Sequence, residues 1–330
     1  MRRLRSIAFI SLFFLPLLSA CTDRPNPTSL SDEDNTVALR IVTLAPHLAE
    51  LVYAVGAEES LVGVSAYSNF PQAVTELPQI GDAFLIDQER LLLLRPDMLL
   101  AWKSGTAAHT VDELRGRGYR VEVIATDALK DIAAALKTIG RLTGHAAKAD
   151  SVAAEFLADI HRMRTAAAYD DAIRVFYQVS SRPLYTVNGD HYISELIELC
   201  GGKNIFSDLG TLAPLVSEEA VLVRDPEVMI AGRISPDQLV LSEWQRWPAL
   251  SANRLDNFFY IPADLLARPT PRLVAAGAMI CALLQRARMH KAEQLVTSLV
   301  MPVPRMGEIM YGSDPTALPL RSRPAPPAGR

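Results

Sequence analysis

The sequence predicts an α/β protein of two lobes, each a mostly parallel sheet flanked by helices, joined by a single long backbone helix. Between residues 38 and 290, short β-branched runs alternate with segments of helical periodicity, the rhythm of βαβ units. Residues 146–168 contain neither Gly nor Pro and set Val152, Phe156, Ile160, Met163 and Ala167 at helical spacing, one apolar face along the whole segment. At 1.5 Å per residue such a helix reaches about 35 Å, enough to cross from one lobe to the next, and a single stiff connector should let the lobes move little. Residues 89–101 (ERLLLLRPDMLLA) also match residues 219–231 (EAVLVRDPEVMIA) at a constant offset of 130, with Glu, Leu, Pro and Ala identical. Each copy reads as a short helix, a Pro that stops it, and a strand whose C-terminal end faces the crevice between lobes.

Taken in order, residues 1–20 read as an export signal. Arg2, Arg3 and Arg5 lead an apolar stretch from Ile7 to Leu18, closed by Leu18-Ser19-Ala20-Cys21. That ending has the form of a bacterial lipobox, which makes Cys21 the expected site of lipidation and membrane attachment. The stretch is shorter than the roughly 20 residues that a spanning helix requires. Residues 21–37, with Pro25, Pro27 and Asp32-Glu33-Asp34, cannot bury a core and read as a flexible tether. The N-terminal lobe is expected over 38–145, with strands at 39–44, 61–65, 97–102 and 119–124. Helices fall at 47–55, 87–94 and 107–116, and Gly56 and Gly118 act as C-terminal stops. After the connecting helix, assigned to 146–169, the C-terminal lobe spans 170–290. Its strands lie near 172–179, 227–231 and 257–261, and its helices near 191–199, 217–224, 236–244 and 270–288. Residues 291–330 form an extension, Pro-rich and disordered in expectation from residue 301.

The totals exclude several functions. A chain of 330 residues, 49% apolar, can bury a large core, and a net charge of −4 offers no reason to bind nucleic acid. Two cysteines remain beyond the lipobox, Cys200 and Cys281. A leftover pair in an exported chain is expected to bridge, which the chain-entropy model values at about 4–5 kcal/mol. The six histidines (47, 109, 145, 161, 191 and 290) show no paired spacing suited to a free metal ion. His47, after Pro46 at the end of the first strand, is placed to face a ligand, but a lone histidine in a loop is more often solvated. No Gly-x-Ser-x-Gly elbow, phosphate loop or informative Cys/His pair supports an enzyme, although chelatases share this two-lobe architecture.

Four stretches carry a family resemblance: 62–71 (VGVSAYSNFP), 89–102, 198–206 (ELCGGKNIF) and 264–281. Through them the chain resembles the cobalamin-binding receptors of bacterial ABC importers, within the class III (helical-backbone) periplasmic binding proteins that also take iron-siderophores. The resemblance implies an exported receptor with no catalytic activity and no cofactor. It would carry cobalamin between its lobes to a permease dimer with ATPase subunits. In such receptors aromatics that fall on Tyr67, Trp102 and Tyr185 wall the cleft, and an Asp and Arg that fall on Asp264 and Arg268 anchor the ligand's polar rim. A flat ring with apolar faces and amide side chains calls for such a lining. The family's cleft tryptophans fall here on Ala83 and Ala213, with Phe84 and Leu212 alongside. The resemblance also gives Glu89 and Glu219 the role of docking the receptor onto a two-fold symmetric permease. Haem-binding relatives usually place a Tyr in the loop that here reads Ile80-Gly-Asp-Ala-Phe84, which has none.

Overall fold

The computed structural model describes residues 39–82, 85–166 and 171–300. The export signal, Cys21, the tether and the Pro-rich tail lie outside them.

The first sheet is built from β1 (Ile41–Thr43), α1 (Pro46–Ala54), β2 (Leu61–Gly63), α2 (Gln88–Leu94), β3 (Met98–Trp102), α3 (Ala108–Gly116), β4 (Val121–Ile124) and α4 (Leu129–Leu142). The connector α5 (Ala146–Ala166) matches the expected backbone helix closely. Beyond it come β5 (Ile173–Gln178), the hairpin β6 (Ser180–Ser181) and β7 (Leu184–Tyr185), α6 (Tyr192–Leu199), β8 (Gly202–Asn204), α7 (Glu218–Arg224) and β9 (Val228–Arg233). The described chain closes with α8 (Ser251–Arg254), β10 (Phe258–Pro262), α9 (Ala263–Leu266) and α10 (Leu273–Val300). All pairings in the two four-stranded sheets are parallel, in the orders β2-β1-β3-β4 and β8-β5-β9-β10. The two orders become the same when β5 is matched with β1.

The 130-residue repeat holds at the level of single caps. Asp87 and Ser217 cap α2 and α7 by accepting the N–H of Arg90 and Ala220. Each helix ends on a left-handed residue, Arg95 (φ 45°) or Asp225 (φ 42°). Each of these precedes a proline, which bars the right-handed helical conformation there. An arginine at the start of each sheet then covers the helix end. Arg40 donates to the carbonyl of Leu94 at 2.7 Å, and Arg174 to that of Asp225 at 2.8 Å. Their own N–H groups reach the carboxylates of Asp97 and Glu227. Gly56 and Gly118 take positive φ after α1 and α3, as expected of helix stops.

One apolar core crosses from lobe to lobe. Ile41, Leu48 and Leu136 of the first sheet side, Phe156 of α5, and Val175, Leu196 and Ile280 of the second belong to a single buried cluster. Smaller clusters around Leu91 and Leu99, and around Phe176 and Trp244, fill the outer faces. Opening the lobes would expose part of the shared core, so its continuity resists a wide hinge. Cys200, at the end of α6, is disulfide-bonded to Cys281 on α10, with Cα atoms 4.6 Å apart.

Several elements differ from expectation. The helix expected at 236–244 is instead a 3₁₀ turn, Val240–Arg246, because the Leu241 N–H, needed for an α-helical ladder, goes to the Tyr260 hydroxyl at 2.9 Å. The last helix continues past residue 290, where the sequence suggests an extension begins; its added turns are held by Lys291, paired with Glu227 at 2.8 Å, and by His290, bonded to Asn257. The helix α4, the hairpin β6–β7, the short strand β8 and the short helices α8 and α9 have no counterpart among the expected elements.

Candidate functional site

The ends of β1, β2 and β3 converge on one concavity of about 230 Å³, lined by Leu44–Pro46, Ser65–Tyr67, Asp82, Trp102, Gly105 and Thr106. It lies at the C-terminal edge of the sheet, beside the point where strand order reverses between β1 and β3, where open α/β sheets bind ligands. Its lining is mostly apolar.

Trp102 forms one wall and is locked in place from three sides. Its backbone N–H donates to Thr106 Oγ1 at 3.1 Å, and its ring meets His47 edge-on at 5.0 Å. The ring also lies so close to Gly105 that an added Cβ would sit 1.9 Å from a ring carbon, so no larger residue fits there unless the indole moves. His47, expected to be solvated, is buried under this wall. Burial, reinforced by the Arg268 guanidinium, pushes its imidazole down to about 3, so the ring is a neutral support near pH 7.

Tyr67 stands at the opposite lip, 76% exposed and at φ 66°, a conformation that bulky residues rarely adopt. Arg268 holds it there by donating to the Tyr67 carbonyl at 2.9 Å. The same guanidinium donates to Asn69 Oδ1 at 2.6 Å and Glu50 Oε1 at 2.8 Å, and pairs with Asp264 at 3.1 Å. Arg272 adds a second cation to Glu50 at 3.1 Å and covers the Phe70 ring at 3.9 Å. Glu50 is buried on α1, so a carboxylate of the first lobe is clasped by two arginines of the second. Arg268 is itself buried and spends these donors on the lobe seam, between Glu50, Asn69, Asp264 and the Tyr67 carbonyl. Asp264, half-exposed and accepting from Asn69 at 3.1 Å, remains open to the crevice.

Tyr185 ends β7 in the second lobe and is partly exposed. The segment 212–215 runs beside it: Asn188 donates to the Leu212 carbonyl, Thr186 to that of Pro214, and Tyr185 bridges Leu215. Ala213, exposed, is thus brought next to Tyr185. Neither lines the pocket around Trp102. Ala83 and Phe84 fall outside the described residues. Glu89 and Glu219 sit exposed in the first turns of α2 and α7. Glu219's own backbone N–H and the Ser217 hydroxyl hold its carboxyl below the usual range.

Two further contacts tie the lobes beside the site. The Tyr192 N–H donates to the Asp127 carbonyl at 2.8 Å, and the Leu129 N–H to the Glu195 carboxyl at 3.0 Å. Sequence reasoning missed Glu50 and Asn69. Glu50 alone carried a signal, a carboxylate within the apolar run 48–52. Among the described residues no group of three or more His, Cys, Asp or Glu could hold a metal ion, and no helix is long and apolar enough to cross a membrane.

Comparison with known proteins gives a consistent picture. Residues 41–265 match the family described as periplasmic binding protein. The vitamin B12-binding protein of Vibrio cholerae serotype O1 is 34% identical over 288 residues, covering 86% of this chain and 98% of that protein. The crystal structure of the periplasmic vitamin B12 binding protein BtuF of Vibrio cholerae superposes with a TM-score of 0.69 at 34% identity, covering 76% of this chain and 98% of that one. The apo form of the periplasmic heme-binding protein RhuT from Roseiflexus shares the fold, with a TM-score of 0.67 at 20% identity over 76% of this chain and 99% of that one.

Proposed function

Since the chain belongs to the periplasmic binding protein family, we propose that it is the solute receptor of a bacterial ABC importer and that its cargo is cobalamin or a related corrinoid. The observation that carries this reading is the wall of Trp102, fixed by His47 and Gly105 and faced by an exposed Tyr67 across an apolar concavity. A flat ring stacks on such surfaces, and its amide periphery needs polar atoms at the rim, which Asp264 supplies. The concavity is smaller than the roughly 300–1,000 Å³ of sites for drug-sized ligands. The first lobe alone can hold only part of a corrinoid, and Tyr185 with the 212–215 segment offers the second wall. The protein acts without catalysis: capture and release are its whole chemistry.

Delivery follows from the same frame. Glu89 and Glu219 offer one carboxylate per lobe at matched positions, as a two-fold permease with its ATPase subunits requires. A lipid on Cys21 would keep the receptor near that membrane partner and raise its effective concentration there.

Calorimetry with cyanocobalamin tests the cargo. Trp102→Ala should weaken binding by about 1–3 kcal/mol, the cost of losing a largely buried aromatic contact. Unchanged affinity would move the site elsewhere. The visible absorption spectrum of protein purified from its native host separates a corrinoid from haem, the other flat macrocycle; haem bands would overturn the corrinoid reading.

A further inference from the structure

Besides its carboxylate, each docking helix carries an aliphatic side chain that nothing in the fold explains. Leu93 is 75% exposed on α2 and Val223 is 85% exposed on α7, among the most exposed large apolar groups of the described residues. Their positions differ by 130, the offset of the repeat. Because α2 and α7 have caps at matched positions, Leu93 and Val223 occupy the same register of the same helix in the two lobes. Each lies four residues after the glutamate, Glu89 or Glu219, and so shares its helix face. Core packing accounts for Leu91 and Val221, which are fully buried, and in part for the third aliphatic pair, in which Leu222 packs against the core while Leu92 is exposed. It does not account for position 93/223. The pairs Arg90/Ala220 and Leu94/Arg224 differ in chemistry, and of the pairs aliphatic in both copies only 93/223 is exposed in both lobes.

Single exposed apolar residues are ordinary on protein surfaces. Here one recurs in both lobes at equal register beside an acidic group, and Glu89 forms no ion pair with any described residue. We infer that Leu93 and Val223 are paired apolar contacts, one per lobe, that seat the receptor on a two-fold partner presenting a cation beside an apolar hollow in each half. The inference rests on the permease reading of Glu89 and Glu219 and adds the component of docking that salt does not screen. A second copy of this chain is the poorer occupant, because contact through these helix faces would bring Glu89 and Glu219 of one copy toward those of the other, and like charges across an interface oppose association.

The experiment measures association of the full-length receptor with the permease–ATPase complex of the same bacterium in lipid nanodiscs, at low salt and at about 1 M salt, where the screening length falls to about 3 Å. Leu93→Ser with Val223→Ser should weaken association about tenfold or more at both salt concentrations, as expected for removing buried aliphatic contacts. Glu89→Gln with Glu219→Gln should weaken it chiefly at low salt. If the serine variant binds like wild type while the glutamine variant is impaired, the apolar contacts are wrong and charge docking stands. If neither is impaired, the docking surface itself is misassigned. Light scattering that shows a wild-type dimer and a monomeric serine variant would make the patch a self-interface and overturn the inference. Both variants alter exposed side chains, and an unchanged melting temperature verifies their fold.

Discussion

His191 makes the stability of this protein sensitive to acid in a way that one substitution can isolate. It is the N-cap of α6, and its Nδ1 accepts the Ile193 N–H at 3.2 Å. That nitrogen can accept only while unprotonated. Burial pushes the imidazole from 6.5 down to about 4, against the opposing pull of Asp127. The unfolded chain therefore binds a proton below pH 6.5 that the folded chain refuses until about pH 4, and stability falls as pH drops through that window. At about 1.4 kcal/mol per pH unit, the loss is about 2.5 kcal/mol near pH 4.5. Asparagine is a favoured N-cap that does not titrate, so His191→Asn should be within about 1 kcal/mol of wild type near pH 7.5. Near pH 4.5 it should be more stable than wild type by about 2 kcal/mol. Urea unfolding at the two pH values measures both quantities. His47 is pushed down to about 3 and loses stability over the same range, but it is present in both proteins and cancels in the difference. Parallel pH dependence of wild type and variant would refute the reasoning.

Removing the disulfide by Cys200→Ala with Cys281→Ala should cost up to about 4.5 kcal/mol, the chain-entropy value for a sequence separation of 81, read as a lower urea midpoint; a midpoint that does not move would contradict this. Glu50→Gln should cost about 3 kcal/mol, near the low end for breaking a buried pair, because Arg268 keeps Asp264 while losing its buried countercharge. Its melting temperature should fall at all salt concentrations tested, and a loss that vanishes in high salt would mark the pair as a screened surface contact.

How far the sequence carried depended on the range of the interaction. The backbone helix, the capped helices of the repeat and the glycine stops depend on neighbours within a few residues, and all appear where the local pattern put them. The 3₁₀ turn at Val240–Arg246 does not, because a hydroxyl from β10, nineteen residues away, captures the N–H that would have built an α-helix. Helix α4 is also legible locally, since Leu129, Ile132, Leu136 and Ile139 recur at helical spacing and are all buried.

The sequence by itself determined the two-lobe α/β architecture and the matched glutamates, because periodicity, caps and a repeat are written in the order of residues; the aromatic positions came from the family resemblance. The tertiary structure decided what those positions do. Only the fold brings Glu50 within reach of Arg268, 218 residues further on, and so makes that arginine part of a clasp across the lobes. Only packing removes His47 from water and sets it under Trp102, making a loop histidine a neutral support for the wall. Desolvation and long-range ion pairing depend on which surfaces meet, and spacing along the chain does not encode that.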